Sequence, residues 1–206
     1  MEKEYKKGLL LEYFTVAYNI IEAVVSIVFG SMANSVALVG FGLDSIVESL
    51  SGMVLIWRLR SHAKITAEEE EQIEKKALTF VAVTFFILGT YVLFESVKKL
   101  YLGEVNEPSL PGIIIAIASL IVMPILAYKK YTVGKKIGSR ALIADSKETL
   151  ACSFLSVALL LGLGLNYFFG IWQADPAAGL VIVYFLFSEG KEVWEDAHEE
   201  DNDDDD

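Results

Sequence analysis

Carboxyl and thiol groups recur at helical spacing inside two long apolar segments of the sequence. Asp44 and Glu48 lie four residues apart in one segment, and Glu148 and Cys152 lie four residues apart in another. Residues four apart occupy one face of an α-helix. Two carboxylates on one face repel each other, so this spacing does not serve helix stability. Carboxylates and a thiolate are ligands for divalent transition metals, and the spacing therefore predicts a cation site.

Further polar residues accompany these four candidate ligands. Asp145 lies three residues before Glu148, and Asn19 and Glu22 lie three residues apart in a third apolar segment. A carboxylate deep in a bilayer is costly unless it is paired, protonated or bound, so each one is a functional candidate. We predict secondary or proton-handling roles for Asn19, Glu22 and Asp145.

The segments that must position these residues are too apolar for a soluble domain. Of the 206 residues, 54% are hydrophobic and the mean hydropathy is +0.47. A soluble chain this short cannot bury so many apolar side chains. Six segments approach the roughly 20 residues that a membrane-spanning helix requires, and none alternates as a barrel strand does. We predict an all-α integral membrane protein with six transmembrane helices, at residues 9–31, 37–57, 77–97, 112–130, 141–165 and 172–190.

The distribution of basic residues predicts the orientation of these spans. Lys and Arg in short loops stay on the cytoplasmic side of a membrane. With the spans above, 14 of the 17 basic residues fall on one side, in the N-terminus, the second and fourth loops and the segment after the last span. We therefore expect both termini in the cytoplasm and the protein in a cell membrane, either plasma or inner.

The depth of the candidate ligands supports a common site. Glu48 is about 16 Å from the outer end of its span and Cys152 about 16 Å from the inner end of its own, so both lie near the midplane. Asp44 is then about one turn outward and Glu148 about one turn inward. The four side chains converge if the second and fifth spans pack together. Asp145 would lie nearer the cytoplasm, on an access path.

The formal charge of −11 is concentrated at the C-terminus. Residues 192–206 contain ten acids and no bases, which leaves 18 acids and 17 bases in residues 1–191. We expect residues 192–206 to form a disordered, acidic cytoplasmic tail. The near-neutral remainder has no basic face for nucleic acid. A single cysteine excludes an internal disulfide, and both histidines fall in polar stretches.

Simpler interpretations stay open for most of these residues. Asp44 and Glu48 could share a proton or pair with Lys147, which is the basic residue inside the fifth span. Cys152 could be a small buried apolar residue, and Glu148 a charge near a helix end. Asn19 and Glu22 could serve packing. Glu95, Asp175 and Glu189 stand at span ends and are expected at the membrane interface.

The sequence resembles the transmembrane domain of the cation diffusion facilitator family, the proton-coupled exporters of divalent metals. The resemblance covers nearly all of residues 9–190 and follows the six-span plan. It implies that residues 1–191 form one cation-efflux domain, of the branch that lacks a cytoplasmic metal-binding domain, and that the protein is a homodimer. It is carried by the strings Asp44-Ser-Ile-Val-Glu48 and Ala144-Asp145-Ser-Lys-Glu148-Thr-Leu-Ala-Cys152, and by Ala174-Asp175-Pro176 before the last span.

By this resemblance Asp44, Glu48, Glu148 and Cys152 occupy the places of the family's metal ligands. Zinc exporters usually have histidine in the fifth span, where this sequence has Glu148 and Cys152. Oxygen ligands with one thiolate suit Zn²⁺ first, and also Fe²⁺, Cd²⁺, Co²⁺ or Ni²⁺, better than Mg²⁺ or Ca²⁺. No resident cofactor is expected, because the metal is the transported substrate.

A mechanism follows from the chemistry of such a site. Carboxyl and thiol groups hidden from water favour their protonated forms, whereas a bound metal favours the ionised forms. Cation and protons therefore compete, and rocking of helices around the site would export the cation. The alternatives are a non-transporting metal sensor or partner protein, a transporter of another cation, and an intramembrane aspartyl protease using Asp44 and Asp145. We expect a transporter and not an enzyme.

Overall fold

The chain folds entirely into helices in the part that the structure describes, residues 2–61 and 67–198 of a computed structural model. Six α-helices follow one another, which confirms the all-α prediction, and each overlaps one predicted span. The helices extend beyond the predicted spans, mostly at the end of the bundle that carries the two chain termini. They are α1 Glu2–Met32, α2 Val36–Ser61, α3 Ala67–Leu102, α4 Leu110–Ile137, α5 Arg140–Phe169 and α6 Ala174–His198.

Length and composition allow five of these helices, α1 to α5, to cross a membrane. Helix α6 has 25 residues, but Glu189, Lys191, Glu192 and Glu195 make its second half strongly charged. The sixth predicted span, at 172–190, therefore stays a prediction. Helix α6 also continues for seven residues into the acidic segment expected to be disordered, and residues 199–206 lie outside the described residues.

Serine side chains cap the starts of α4 and α5, and a glycine follows the end of α4. The Ser109 hydroxyl accepts a hydrogen bond from Gly112 N at the start of α4, and the Ser139 hydroxyl accepts one from Leu142 N at the start of α5. Between α4 and α5, Gly138 takes a left-handed conformation with φ of 69°, which glycine adopts without steric cost. The resulting tight connection makes α4 and α5 antiparallel neighbours.

Helix α2 lies at the centre of the bundle. Three pairs pack extensively, α1 with α2, α3 with α6 and α4 with α5, and α2 also contacts α3, α5 and α6. Close approach to α1 requires a small residue, because a Cβ atom at Gly42 would lie 2.8 Å from Ile27 Cγ1. The contact between α2 and α5 meets the condition that the sequence set for convergence of the candidate ligands.

The outer faces of the bundle are apolar, as expected for contact with lipid. Large side chains such as Phe14, Ile121, Phe154 and Tyr184 are exposed. The interior holds a continuous apolar cluster that includes Phe41, Leu155, Leu159, Ile182 and Leu186. With no water in the bilayer core, helices satisfy their own backbone groups and leave only side chains to face lipid.

A buried carboxylate fixes the start of α6 to the start of α2. Asp175 has no exposed surface, although the sequence places it at the membrane interface. It accepts hydrogen bonds from Val36 N at 2.9 Å and from the Ser35 hydroxyl. Nearby, the Lys99 ammonium donates to the carbonyl of Asn34. Asp175 thus caps α2 from another helix and sets the position of α2 along the bundle axis.

We expect Asp175→Ala to lower the free energy of unfolding by about 2 kcal/mol, because Val36 N and the Ser35 hydroxyl lose their buried acceptor. The measurement is unfolding in mixed micelles of increasing SDS content. Glu107→Ala is the matched control, since Glu107 is an exposed acid near the same end of the bundle. Equal stability of the two variants would contradict the capping role.

Candidate metal centre

Helices α2 and α5 bring three of the four candidate ligands together. Asp44, Glu48 and Cys152 each offer one donor atom, and these atoms all lie within 4.8 Å of one another. The three residues are 5%, 6% and 2% exposed. Two carboxylates and a thiol at this separation can bind a single cation between them. All three groups are shielded from solvent.

Apolar residues form part of the wall around this set. Phe85 of α3 and Leu155 of α5 line the same small cavity, together with Ala151. On α2, Phe41 and Val47 belong to the buried core, so the face carrying Asp44 and Glu48 also lies inside the bundle. In such surroundings the attraction between a carboxylate and a cation is several times stronger than in water.

Glu48 lacks the hydrogen bonds that a buried carboxylate normally has. Neither of its oxygens has a hydrogen-bond partner among the described residues. The Cys152 thiol and the Thr149 hydroxyl approach Glu48, and the Lys130 ammonium attracts it from the neighbouring cluster. The Thr149 hydroxyl, however, donates its hydrogen to the carbonyl of Asp145 at 3.0 Å. An ionised carboxylate in this position requires a compensating partner, and the geometry leaves a proton or a bound cation to supply it.

Glu148 lines the same cavity but stands outside the group of three. It is partly exposed, and one of its oxygens accepts a hydrogen bond from the Ser51 hydroxyl at 3.2 Å. Since α5 rises about 1.5 Å per residue, Glu148 lies about 6 Å from Cys152 along the helix, towards the end of the bundle that carries the chain termini.

Glu189 of α6 also lines this cavity, although the sequence places it at the membrane interface. One signal for its position was available in the sequence. Glu189 follows Leu186 by three residues and precedes Val193 by four, and both of these apolar residues are buried. That spacing puts Glu189 on the inward face of α6.

The two polar residues of α1 are buried beside α2, and Glu22 is close enough to interact electrostatically with Asp44 and Cys152. Asn19 and Glu22 have no exposed surface. Glu22 accepts a hydrogen bond from the Ser45 hydroxyl at 2.9 Å, and Ser45 is adjacent to Asp44 in the chain. The other Glu22 oxygen and both amide atoms of Asn19 have no partner among the described side chains and backbone. Glu22 is thus linked to the three-residue group through α2.

Asp145 belongs to a separate ionic cluster in which its charge is paired. Lys130 of α4 has no exposed surface, and its ammonium contacts Asp145 directly. It also contacts Glu12 of α1 at 3.2 Å and the Thr149 hydroxyl at 3.2 Å. Lys130 stands at the end of the predicted span 112–130 and is one of the basic residues assigned to the fourth loop in predicting the orientation. Instead, α4 continues to Ile137 and Lys130 is buried within it. Lys130, Glu12 and Asp145 thereby join α1, α4 and α5.

Long apolar helices around a buried group of candidate metal ligands indicate a multi-pass integral membrane protein that handles cations. The family described as the cation efflux transmembrane domain matches residues 13–198. The chain belongs to this family, whose members are membrane transporters of cations and not enzymes. Membership also removes the aspartyl protease alternative.

Relatives are similar to this chain at low identity over most of its length. An uncharacterised transporter of Methanocaldococcus jannaschii is 26% identical over 89% of this chain and 65% of its own length. The manganese efflux system protein MneS of Bacillus subtilis is 21% identical over 87% of this chain and 63% of its own. The cadmium, cobalt and zinc/H(+)-K(+) antiporter of Bacillus velezensis is 24% identical over 93% and 61%. The chain thus spans less than two thirds of the length of these relatives.

We expect Lys130→Met to lower the free energy of unfolding by about 3–5 kcal/mol, because it leaves Glu12 and Asp145 buried without their cation. SDS titration in mixed micelles again provides the measurement. The triple variant Lys130→Met, Glu12→Gln, Asp145→Asn should recover most of the loss, and Lys129→Met, at the exposed neighbouring position, should match the wild type. A stable single variant would show that the cluster contributes little.

Proposed function

We propose that the chain exports a divalent transition-metal cation in exchange for protons. In this proposal Asp44, Glu48, Glu148 and Cys152 bind one ion near the membrane midplane. The observation that carries it is the approach of three donor atoms, from Asp44, Glu48 and Cys152, to within 4.8 Å of one another in a buried setting.

The chemistry of the donors favours a transition metal over Mg²⁺ or Ca²⁺. A thiolate is a soft ligand and strengthens binding of Zn²⁺ or Cd²⁺ far more than that of a hard ion. We rank Zn²⁺ first, with Fe²⁺, Cd²⁺, Co²⁺ and Ni²⁺ as further candidates. The relative named for cadmium, cobalt and zinc supports this class, and the manganese relative marks a second selectivity within the family.

Proton exchange follows from the unpartnered state of Glu48. Its carboxyl group needs either a proton or a cation, so one site has two competing occupants. Binding of the metal releases protons, and protonation releases the metal. Glu148 completes the ligand set when α2 and α5 shift relative to each other. Glu22, held by Ser45, supports α2 beside Asp44 or accepts a released proton.

The direction of transport depends on orientation and assembly. In our proposal both termini face the cytoplasm, α6 is the sixth span, and access alternates between the two sides of the membrane around one fixed site. The proton gradient across the membrane then drives export. The protein is proposed to work as a homodimer, which rests on its resemblance to the family.

Flux measurements test this transport cycle. Proteoliposomes with an acidic lumen are expected to accumulate Zn²⁺, and an ionophore that dissipates the pH gradient should abolish accumulation. Glu48→Gln should accumulate no more Zn²⁺ than empty vesicles, because the unpartnered ligand is lost. Glu195→Gln, on an exposed part of α6, is the control. Normal uptake by Glu48→Gln would overturn the site, and uptake without a gradient would overturn antiport.

Binding measurements separate transport from mere sensing. A cation that binds only the folded state stabilises it, by about 2.7 kcal/mol at one hundred times the dissociation constant. We expect Cd²⁺ to raise the melting temperature and to produce a thiolate-to-metal absorption band that Cys152→Ser removes. Stabilisation without flux would indicate a metal sensor or partner protein. Absence of stabilisation by any divalent metal would indicate another cation.

A further inference from the structure

We propose that Glu148 of α5 and Glu189 of α6 form an outer cation position. A divalent cation is held there before it passes inward to Asp44, Glu48 and Cys152, and Glu148 stays with the cation as the fourth ligand of the inner site. The inference rests on the proposed function and extends it. It assigns Glu189 a role in transport and gives the cation a route from the end of the bundle that carries both chain termini.

One cavity contains all five side chains. Asp44, Glu48, Glu148, Cys152 and Glu189 line it together, with Phe85 and Leu155 among its apolar walls. The two outer carboxylates and the buried group therefore border the same small space. The cavity includes residues of α2, α3, α5 and α6, so it lies where all three helix pairs meet.

Exposure changes along the cavity in one direction. Asp44, Glu48 and Cys152 are each nine-tenths or more buried, whereas Glu148 and Glu189 are partly exposed. Glu148 lies about one helical turn from Cys152, towards the N-terminal end of α5. Because consecutive helices are antiparallel, this end of α5 is also the end of the bundle at which α6 finishes. The two partly exposed carboxylates therefore stand between the buried group and that end.

The inner end of the cavity has an unsatisfied acceptor. Both oxygens of Glu48 lie without hydrogen-bond partners in the described part of the chain, and Glu48 is 6% exposed. A dehydrated carboxylate of this kind attracts a cation strongly once the cation has lost part of its water shell. Two partly exposed carboxylates outside it, Glu148 and Glu189, would supply a place where that water is exchanged for oxygen ligands one step at a time.

Glu189 belongs to α6, a helix that contributes no residue to the buried group of Asp44, Glu48 and Cys152. The buried group belongs to α2 and α5, while α6 packs mainly against α3. A displacement of the α3 and α6 pair would move Glu189 relative to Cys152 without breaking a helix. The outer position can thus form in one arrangement of the bundle and separate in another.

Charges at the rim and at the centre of a site have different kinetic signatures. A rim charge steers association and makes it sensitive to salt, whereas loss of a buried partner speeds dissociation. Glu189 at an outer position should therefore govern how fast a cation reaches Cys152, and a ligand such as Glu48 should govern how long the cation stays.

The experiment uses Cd²⁺ and the full chain in lipid nanodiscs. Stopped-flow absorbance of the thiolate-to-metal band reports arrival of Cd²⁺ at Cys152, and displacement by a chelator reports its release. We expect Glu189→Gln to lower the association rate constant about tenfold and to weaken its dependence on salt, while the dissociation rate constant stays within about twofold. Glu195→Gln, on the same helix but exposed, should behave as the wild type.

Two results would overturn the outer position. An unchanged association rate in Glu189→Gln would mean that Glu189 does not guide the cation. A dissociation rate raised about tenfold or more would make Glu189 a ligand of the buried group itself. If the wild type gives no thiolate band with Cd²⁺ at all, the ligand role of Cys152 fails instead, so failure of the proposed site and failure of this inference are distinguishable.

Discussion

The cost of placing a carboxylate among apolar helices governs this structure. Water cannot compensate the charge inside the bundle, so each buried acid must find a proton, a donor or a cation. Asp175 finds donors at the start of α2, and Asp145 finds Lys130. Neither oxygen of Glu48 has a hydrogen-bond partner among the described residues. In our proposal an exchangeable cation supplies the missing compensation at this position.

Two acidic clusters in the same bundle meet this cost in opposite ways. Around Lys130 the cation is part of the chain, and its contacts with Glu12 and Asp145 link three helices permanently. Around Glu48 and Cys152 the described part of the chain supplies no such ammonium contact, and in our proposal a cation enters from outside and leaves again. A fixed internal cation would then give rigidity, and an exchangeable one would give transport. The Thr149 hydroxyl lies at the boundary, since it contacts Lys130 and approaches Glu48.

Local spacing predicts what lies on a single helix face, and long-range packing decides the rest. Glu48 and Cys152 could be identified because their helical register and depth follow from residue counts. Lys130 could not, because the pair Lys129 and Lys130 at the end of an apolar segment has the composition of a cytoplasmic loop. Its burial depends on acids that α1 and α5 contribute from distant parts of the sequence. The spacing of Glu189 from apolar residues of α6 predicts that it faces inward. The cavity that it lines, however, forms only because α6 packs near α2 and α5.

The hydrogen bonds of Asp175 also fix the start of α6, so a tilt of α6 would displace its far end most. Its start is held against α2, while its second half carries charged residues and packs mainly on α3. Glu189 lies 14 residues further along, about 21 Å from this pivot. A tilt of about 5° would carry Glu189 by about 2 Å, comparable to the difference between a coordinating and a non-coordinating oxygen. The hydrogen bond at one end of the bundle thus fixes the point about which a small rotation of α6 would displace the partly exposed Glu189 carboxylate.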